Sequence, residues 1–329
     1  VPTTAITGTA EVASDTAAYE QLAYYQLRQE MYFGMVADVM PTDQTHPGTS
    51  VVFNLLSELA VEATPTALTE LSDITPVALG DATVSVTLAE HGKGTNVSAK
   101  LRGTSYLNEM TRAATEIGYH AGKSFDNLAR NPLLAGTGVF FPASFGGTGT
   151  SRATVAGTDV LTADAIRLAR TELLNNSAIR YGDGYYRAFI APDVSYDLTS
   201  ETGADAWREP RVQAGARVED VWRGTMGVFE GFNFIETPRL DIPELPTGWL
   251  NGGASNEDVY PTLFCAKQCE AKVWSSSLAE NGPTPQIVTA PITDNLRRFK
   301  GVGWYWLGGF GRFREQALVR IESASSLGV

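Results

Sequence analysis

Between Ser105 and Arg130 the larger apolar residues Tyr106, Met110, Ile117, Phe125 and Leu128 fall, with Ala113, Ala114 and Ala121, at steps of three and four. That is the period of one helix face, and it predicts a long helix whose larger side chains form a core. Thr104 or Ser105 is placed to cap its amino end. Asn131-Pro132 is placed to stop it, because proline biases the preceding residue away from helical geometry and has no N–H to donate. At about 1.5 Å per residue the helix would run about 39 Å. Gly118 and Gly122 each lower its intrinsic helicity by up to about 1 kcal/mol relative to alanine, so packing must hold it. Small side chains there also predict that another segment lies close.

The rest of the chain alternates between the two periods. Val1 to Ser14 is small, polar and aperiodic and reads as an arm, followed by a helix from Asp15-Thr16 to Phe33. Gly48 to Leu56 and Ala82 to Leu88 read as extended, the second alternating strictly through Val84, Val86 and Leu88. They bracket Glu62 to Gly80, which is too long for a tight turn, so the pair forms a long two-stranded excursion. Asn96 to Leu101 is a further extended run leading into the long helix. Past Pro132 the chain turns Gly- and Thr-rich, Gly136 to Gly157, which marks a boundary and a loop. A helix from Thr162 to Asn175, a strand from Tyr185 to Ile190 and a short helix opened by Pro192 follow. Strands are predicted at Gly227 to Phe229, Phe232 to Glu236 and Tyr260 to Cys265, with Leu240 to Asn256 as a surface loop. Gly138 to about Ala290 reads as one α/β unit. The tail, Phe299 to Ile321, is strand-like with a bend at Gly308-Gly309, and is expected to close the first domain around the inserted second one.

Charge sharpens this picture. The net charge of -12 disfavours tight binding to a nucleic-acid backbone. Between Gln29 and Gly92 there is no Lys or Arg, while Glu58, Glu62, Glu70 and Asp73 all lie in the excursion. Two strands are marginal alone in water, so the excursion must rest on something, and its charge favours a basic surface over plain solvent. The cations collect elsewhere, on the long helix (Arg112, Lys123, Arg130) and in the tail (Arg297, Arg298, Lys300, Arg312, Arg314). No stretch approaches the about 18 apolar residues of a membrane helix, and no basic, then apolar leader opens the sequence, so the chain is expected to be soluble and unsecreted. Cys265 and Cys269 alone make no disulfide framework, which suits a reducing cytoplasm.

Common catalytic patterns are missing. There is no phosphate-binding G-x-x-x-x-G-K-[ST] loop and no G-x-S-x-G elbow, and the glycines from Gly146 lack the strand and helix of a dinucleotide site. His46, His91 and His120 are scattered, and the two cysteines supply only half of a zinc site. Asp193 and Asp197, four apart, read as helix-start residues more readily than as an acid/base pair. No catalytic residue, metal or organic cofactor is therefore predicted. The competing interpretation is a cytoplasmic α/β hydrolase-like enzyme with a carboxylate-based site.

Several blocks carry a resemblance. Thr150 to Val155 (TSRATV), Leu161 to Arg167 (LTADAIR), Gly184 to Leu198 (GYYRAFIAPDVSYDL) and Gly309 to Ser323 (GFGRFREQALVRIES), taken with the order of elements, resemble the major capsid protein of tailed bacteriophages. This is the Hong Kong ninety-seven type of fold, and the blocks look like the family typified by the N-four coliphage. The resemblance implies an α+β chain with an amino-terminal arm (1–47), an extended loop or β-hairpin (48–90) and a peripheral domain with a spine helix (91–137). An axial domain (138–290) and a terminal strand completing the peripheral domain (291–329) follow. It implies a shell subunit forming hexamers and pentamers of an icosahedral head that matures from a procapsid and encloses double-stranded DNA without binding it specifically. Scaffolding protein, portal and decoration protein are the implied partners, no membrane is involved, and assembly is expected in the bacterial cytoplasm before the protein resides in the virion. In the family the extended loop lies over an adjacent subunit, which makes its acidic residues and the basic residues above candidates for inter-subunit contact. Some relatives weld subunits through a lysine in that loop. Residues 48–90 contain none, so that chemistry is not expected here.

Overall fold

A computed structural model of the protein describes residues 6–7, 32–39, 49–56, 67, 70, 77–201, 227–241, 244–275, 282–290, 296 and 298–327. Most of the expected arm and of the helix to Phe33 lies outside these residues. In chain order come β1 (Ile6–Thr7), β2 (Ala37–Val39), β3 (Ser50–Leu56), β4 (Asp81–Thr87) and β5 (Ala89–Ser98). Helices α1 (Ala99–Thr104) and α2 (Glu109–Leu134) follow. Then come β6 (Val139–Phe140), α3 (Ala163–Asn175), β7 (Tyr186–Ile190) and α4 (Pro192–Ser200). The remaining strands are β8 (Val228–Phe229), β9 (Phe232–Glu236), β10 (Tyr260–Cys265), β11 (Glu270–Trp274), β12 (Gln286–Ala290), β13 (Phe299–Arg312) and β14 (Leu318–Ser323).

The long helix exists but is shifted by four residues. Ser98 Oγ accepts the Leu101 N–H and starts the separate helix α1, so the expected extended run stops at Ser98. Ser105 turns extended, its hydroxyl bonded to Glu109 Oε1 at 2.8 Å, and Asn108 caps α2 by accepting the Thr111 N–H. Tyr106 thus precedes the helix and is 71% exposed, not core as its spacing suggested. Ile117 and Phe125 are buried, and Met110 and Leu128 pack partly buried against the same cluster. At the other end α2 runs through Pro132. The proline sits in the last turn, and burial of Leu133 and Leu134 holds that turn in place. A Cβ on Gly118 would stand 3.4 Å from Ile287 Cδ1, so β12 makes the close approach that small residues foretold.

One six-stranded sheet has the order β1-β5-β13-β11-β2, with β12 also on β13. Alternate residues Val302, Trp304 and Trp306 of β13 pack on α2 at Ile117, Ala121 and Phe125. The bend expected at Gly308-Gly309 is absent: β13 runs unbroken for 14 residues. Those glycines serve a crossing. A Cβ on Gly309 would lie 2.2 Å from the Thr87 carbonyl oxygen, and one on Gly311 2.7 Å from Val86 Cγ2. The hairpin β3-β4, in antiparallel register Val51↔Val86, therefore rests its base directly on β13 and β11, where Val51 and Val86 meet Val273. Phe53 meets Phe313 edge-on at 5.6 Å.

The second six-stranded sheet has the order β6-β14-β10-β7-β9-β8 and packs on α3 and α4 around Phe189, Phe232 and Phe264. This pairing redraws the expected boundaries. Strands β11 and β12, placed by sequence in the 138–290 unit, belong to the first sheet, and β14, placed with the first domain, is buried in the second between β6 and β10. Strand pairing is non-local, and the chain crosses between sheets at Ala266–Cys269 and again at Phe313–Ala317.

Candidate functional site

The acidic candidates Glu58, Glu62 and Asp73 and the basic candidate Arg297 lie outside the described residues, and Glu70 is exposed. The segment leading into β4 leaves large apolar side chains uncovered, with Val77 76% and Leu79 75% exposed. Among the basic candidates, Arg112 lies 3.5 Å from Glu109, Lys123 2.5 Å from Glu244, and Arg312 2.7 Å from Glu315. Arg298 and Arg314 are the more exposed pair, Arg298 with its guanidinium 5.3 Å from the Phe299 ring. Arg130 is different. It is only 3% exposed, on the α2 face shared with Asp126, Ala129 and Leu133, so as a surface candidate it is corrected to an internal tie.

That tie belongs to a buried polar cluster. Arg130 Nη1 donates to the carbonyl oxygens of Arg239 and Glu244, at 2.8 and 2.9 Å. Arg239, on the turn after β9, donates to Asn127 Oδ1 at 3.2 Å and holds its Nε 3.9 Å from Asp126 Oδ2. Asp126 Oδ1 accepts the N–H groups of Tyr32 and Phe33 at 2.9 and 2.8 Å. Burial raises the Asp126 carboxyl above its ordinary pKa despite these donors, and pushes fully buried Glu270 on β11 well above its own. The only sequence signal was two charges four apart on an otherwise apolar helix face.

The other candidates for chemistry have structural partners. Asp193 accepts the Tyr260 hydroxyl at 3.2 Å, and Asp197 accepts the Ser326 N–H at 2.8 Å, so the hydrolase interpretation gains nothing from them. Burial pushes the Asp159 carboxyl up, but the N–H groups of Ala156, Thr148 and Gly149 outweigh it and hold the group below its usual value. The glycine-rich loop thus closes on the protein's own carboxylate. His120 Nδ1 lies 3.0 Å from Trp304 Nε1, and burial, then Lys93 and Lys123, lower its pKa. His91 stacks on Trp306. Cys265 and Cys269 are buried free thiols. No three His, Cys, Asp or Glu side chains among the described residues are grouped to hold a metal, and no described helix is long and apolar enough to cross a membrane.

The model of the phage capsid protein family matches residues 3–327. No curated protein matches the chain. Of the solved structures, the capsid asymmetric unit of cyanophage Pam1 is similar at 16% identity and TM-score 0.71, over 96% of this chain and 98% of that one. The capsid of Ralstonia phage GP4 is similar at 14% identity and TM-score 0.67, over 98% of both chains. That of cyanophage P-SCSP1u is similar at 13% identity and TM-score 0.66, over 94% of this chain and 93% of that one. At these identities the likeness concerns the fold, which is the α+β architecture of the Hong Kong ninety-seven type.

Proposed function

The chain belongs to the phage capsid protein family, and from this we propose that many copies of it assemble as hexameric and pentameric capsomers into the icosahedral head of a tailed phage, around double-stranded DNA. The family match over residues 3–327, which takes in the hairpin and both sheets, carries this reading. The first sheet with α2 is assigned as the peripheral domain, the second sheet with α3 and α4 as the axial domain at capsomer centres, and 48–90 as the extended loop. Such a subunit works by summed contact area, since obligate interfaces commonly exceed about 2,000 Å². The exposed Val77 and Leu79 support a hairpin that is finished only by a neighbour. Glu58, Glu62, Glu70 and Asp73 would meet basic residues of that neighbour, with Arg298 and Arg314 favoured because they are more exposed than Arg112, Lys123 and Arg312.

The net charge of -12 suits a container that must not adhere to its DNA. The protein acts without catalysis, metal or cofactor, is assembled in the host cytoplasm, and works with scaffolding, portal and decoration proteins. Electron microscopy of the purified protein tests the proposal. Closed icosahedral shells are expected, whereas a discrete small oligomer with enzymatic turnover would overturn it.

A further inference from the structure

Buried charges tie three parts of the chain. Asp126 and Arg130 of α2 meet Arg239 from the turn after β9 of the second sheet, and Glu270 of β11 in the first, within range of the Asp126 charge, is paired with Ala37 of β2. The backbone of Tyr32 and Phe33, just before β2, hangs on Asp126 Oδ1. Arg239 and Glu270 are both 0% exposed. Yet Asp126 Oδ2, Arg130 Nε, Arg239 Nε and Nη2, and both Glu270 oxygens have no hydrogen-bond partner among the described residues. Buried polar groups left in this way are costly, and an unpaired buried charge costs most.

The cations of this cluster are already engaged without Glu270. Arg130 and Arg239 stand against Asp126 and Glu244, and Lys123 also binds Glu244 at 2.5 Å. The other groups near Glu270 offer it nothing. Arg312, opposite it on β13, binds Glu315; Lys272, two residues along, lies over the Phe125 ring at 4.8 Å. Asp38 of β2 accepts the Gln268 N–H, and the Cys269 thiol beside Glu270 is kept protonated by burial. Ionised Glu270 would be a second negative charge within range of Asp126, with no hydrogen-bond donor or ion pair of its own among the described residues.

We propose that this cluster is a charge-sensitive latch: with Glu270 neutral it locks α2, the second sheet and the Tyr32–Phe33 segment together, and loss of the Glu270 proton releases that segment. The raised Glu270 carboxyl supports it and fixes the sign. A carboxyl whose folded pKa lies above its free value favours the closed form most at low pH, and that preference is lost as pH rises through the folded value. The latch is a property of the single chain and operates whether or not copies assemble.

Hydrogen exchange followed by mass spectrometry on the full-length subunit, between about pH 6 and about pH 9, tests it. After correction for intrinsic exchange, wild-type protection of the peptide around Tyr32–Val36 is expected to fall by up to about tenfold per pH unit, as release linked to one proton requires. Glu270→Gln should flatten the profile, and Glu270→Met, of similar length and without a proton, serves if the first variant folds poorly. A wild-type profile that is flat, or one that either folded variant reproduces unchanged, overturns the latch.

Discussion

His120 shows how much one side chain can report. Its Nδ1 is 3.0 Å from the indole N–H of Trp304, a contact that needs this nitrogen unprotonated. Burial, then Lys93 and Lys123, lower its pKa below 6.5. The neutral ring's contribution to stability is therefore full above that free value and is lost as pH falls through the depressed folded value. Thermal melts should show a falling midpoint from about pH 7 to about pH 5, with a shallower fall in His120→Gln, whose side-chain oxygen can still accept the indole N–H. An unchanged slope would remove His120 from the account. Such roles were scarcely legible in the sequence. Arg130 reads in the sequence as one of the helix's contact cations, Asp126 carries no assignment there, and only the apolar residues around them mark the face as buried.

At the scale of elements, spacing carried most of the information and local chemistry moved the boundaries. Ile117 and Phe125 are buried where the helical period put them, so Ile117→Ala and Phe125→Ala should each cost about 2 to 5 kcal/mol and leave little soluble subunit. Tyr106→Ala, at a position that shares the period but precedes the Asn108 cap, should cost less than about 0.5 kcal/mol. Equal losses in the three melts would show that the core had been misplaced. Glycine in a strand has two meanings, a bend or a close crossing, and the sequence cannot choose between them. At Gly309 the Thr87 carbonyl decides for a crossing. Gly309→Val should lift the hairpin base from β13, seen as faster proteolysis within residues 48–90 while the second sheet stays protected. Unchanged cleavage would mean that the hairpin is anchored elsewhere.

At the scale of the whole molecule, the resemblance fixed the architecture, but not which strand joins which sheet. β14 lies between β6 and β10, partners far away in sequence, and no local pattern encodes such pairing. The relation of one copy to the next rests on the hairpin. Its base is held inside its own chain by Val51, Val86 and Val273 and by Phe53 on Phe313, so its fold does not depend on the acidic residues further out. Reversing Glu62, Glu70 and Asp73 together to Lys should therefore leave the subunit folded and change only its assembly. One exposed pair is worth about 0 to 1 kcal/mol, but it recurs in every copy of a shell, and its larger effect is on register and encounter rate. Screening acts over about 10 Å at 0.1 M salt, so the effect should be greatest at low salt and shrink as salt is added. Assembly of the triple variant, followed by light scattering and microscopy across a salt series, should be slow or misdirected at low salt and approach wild type at high salt. A folded triple variant that assembles like wild type at low salt would show that charge does not seat the hairpin, leaving the exposed Val77 and Leu79 as what the neighbour covers.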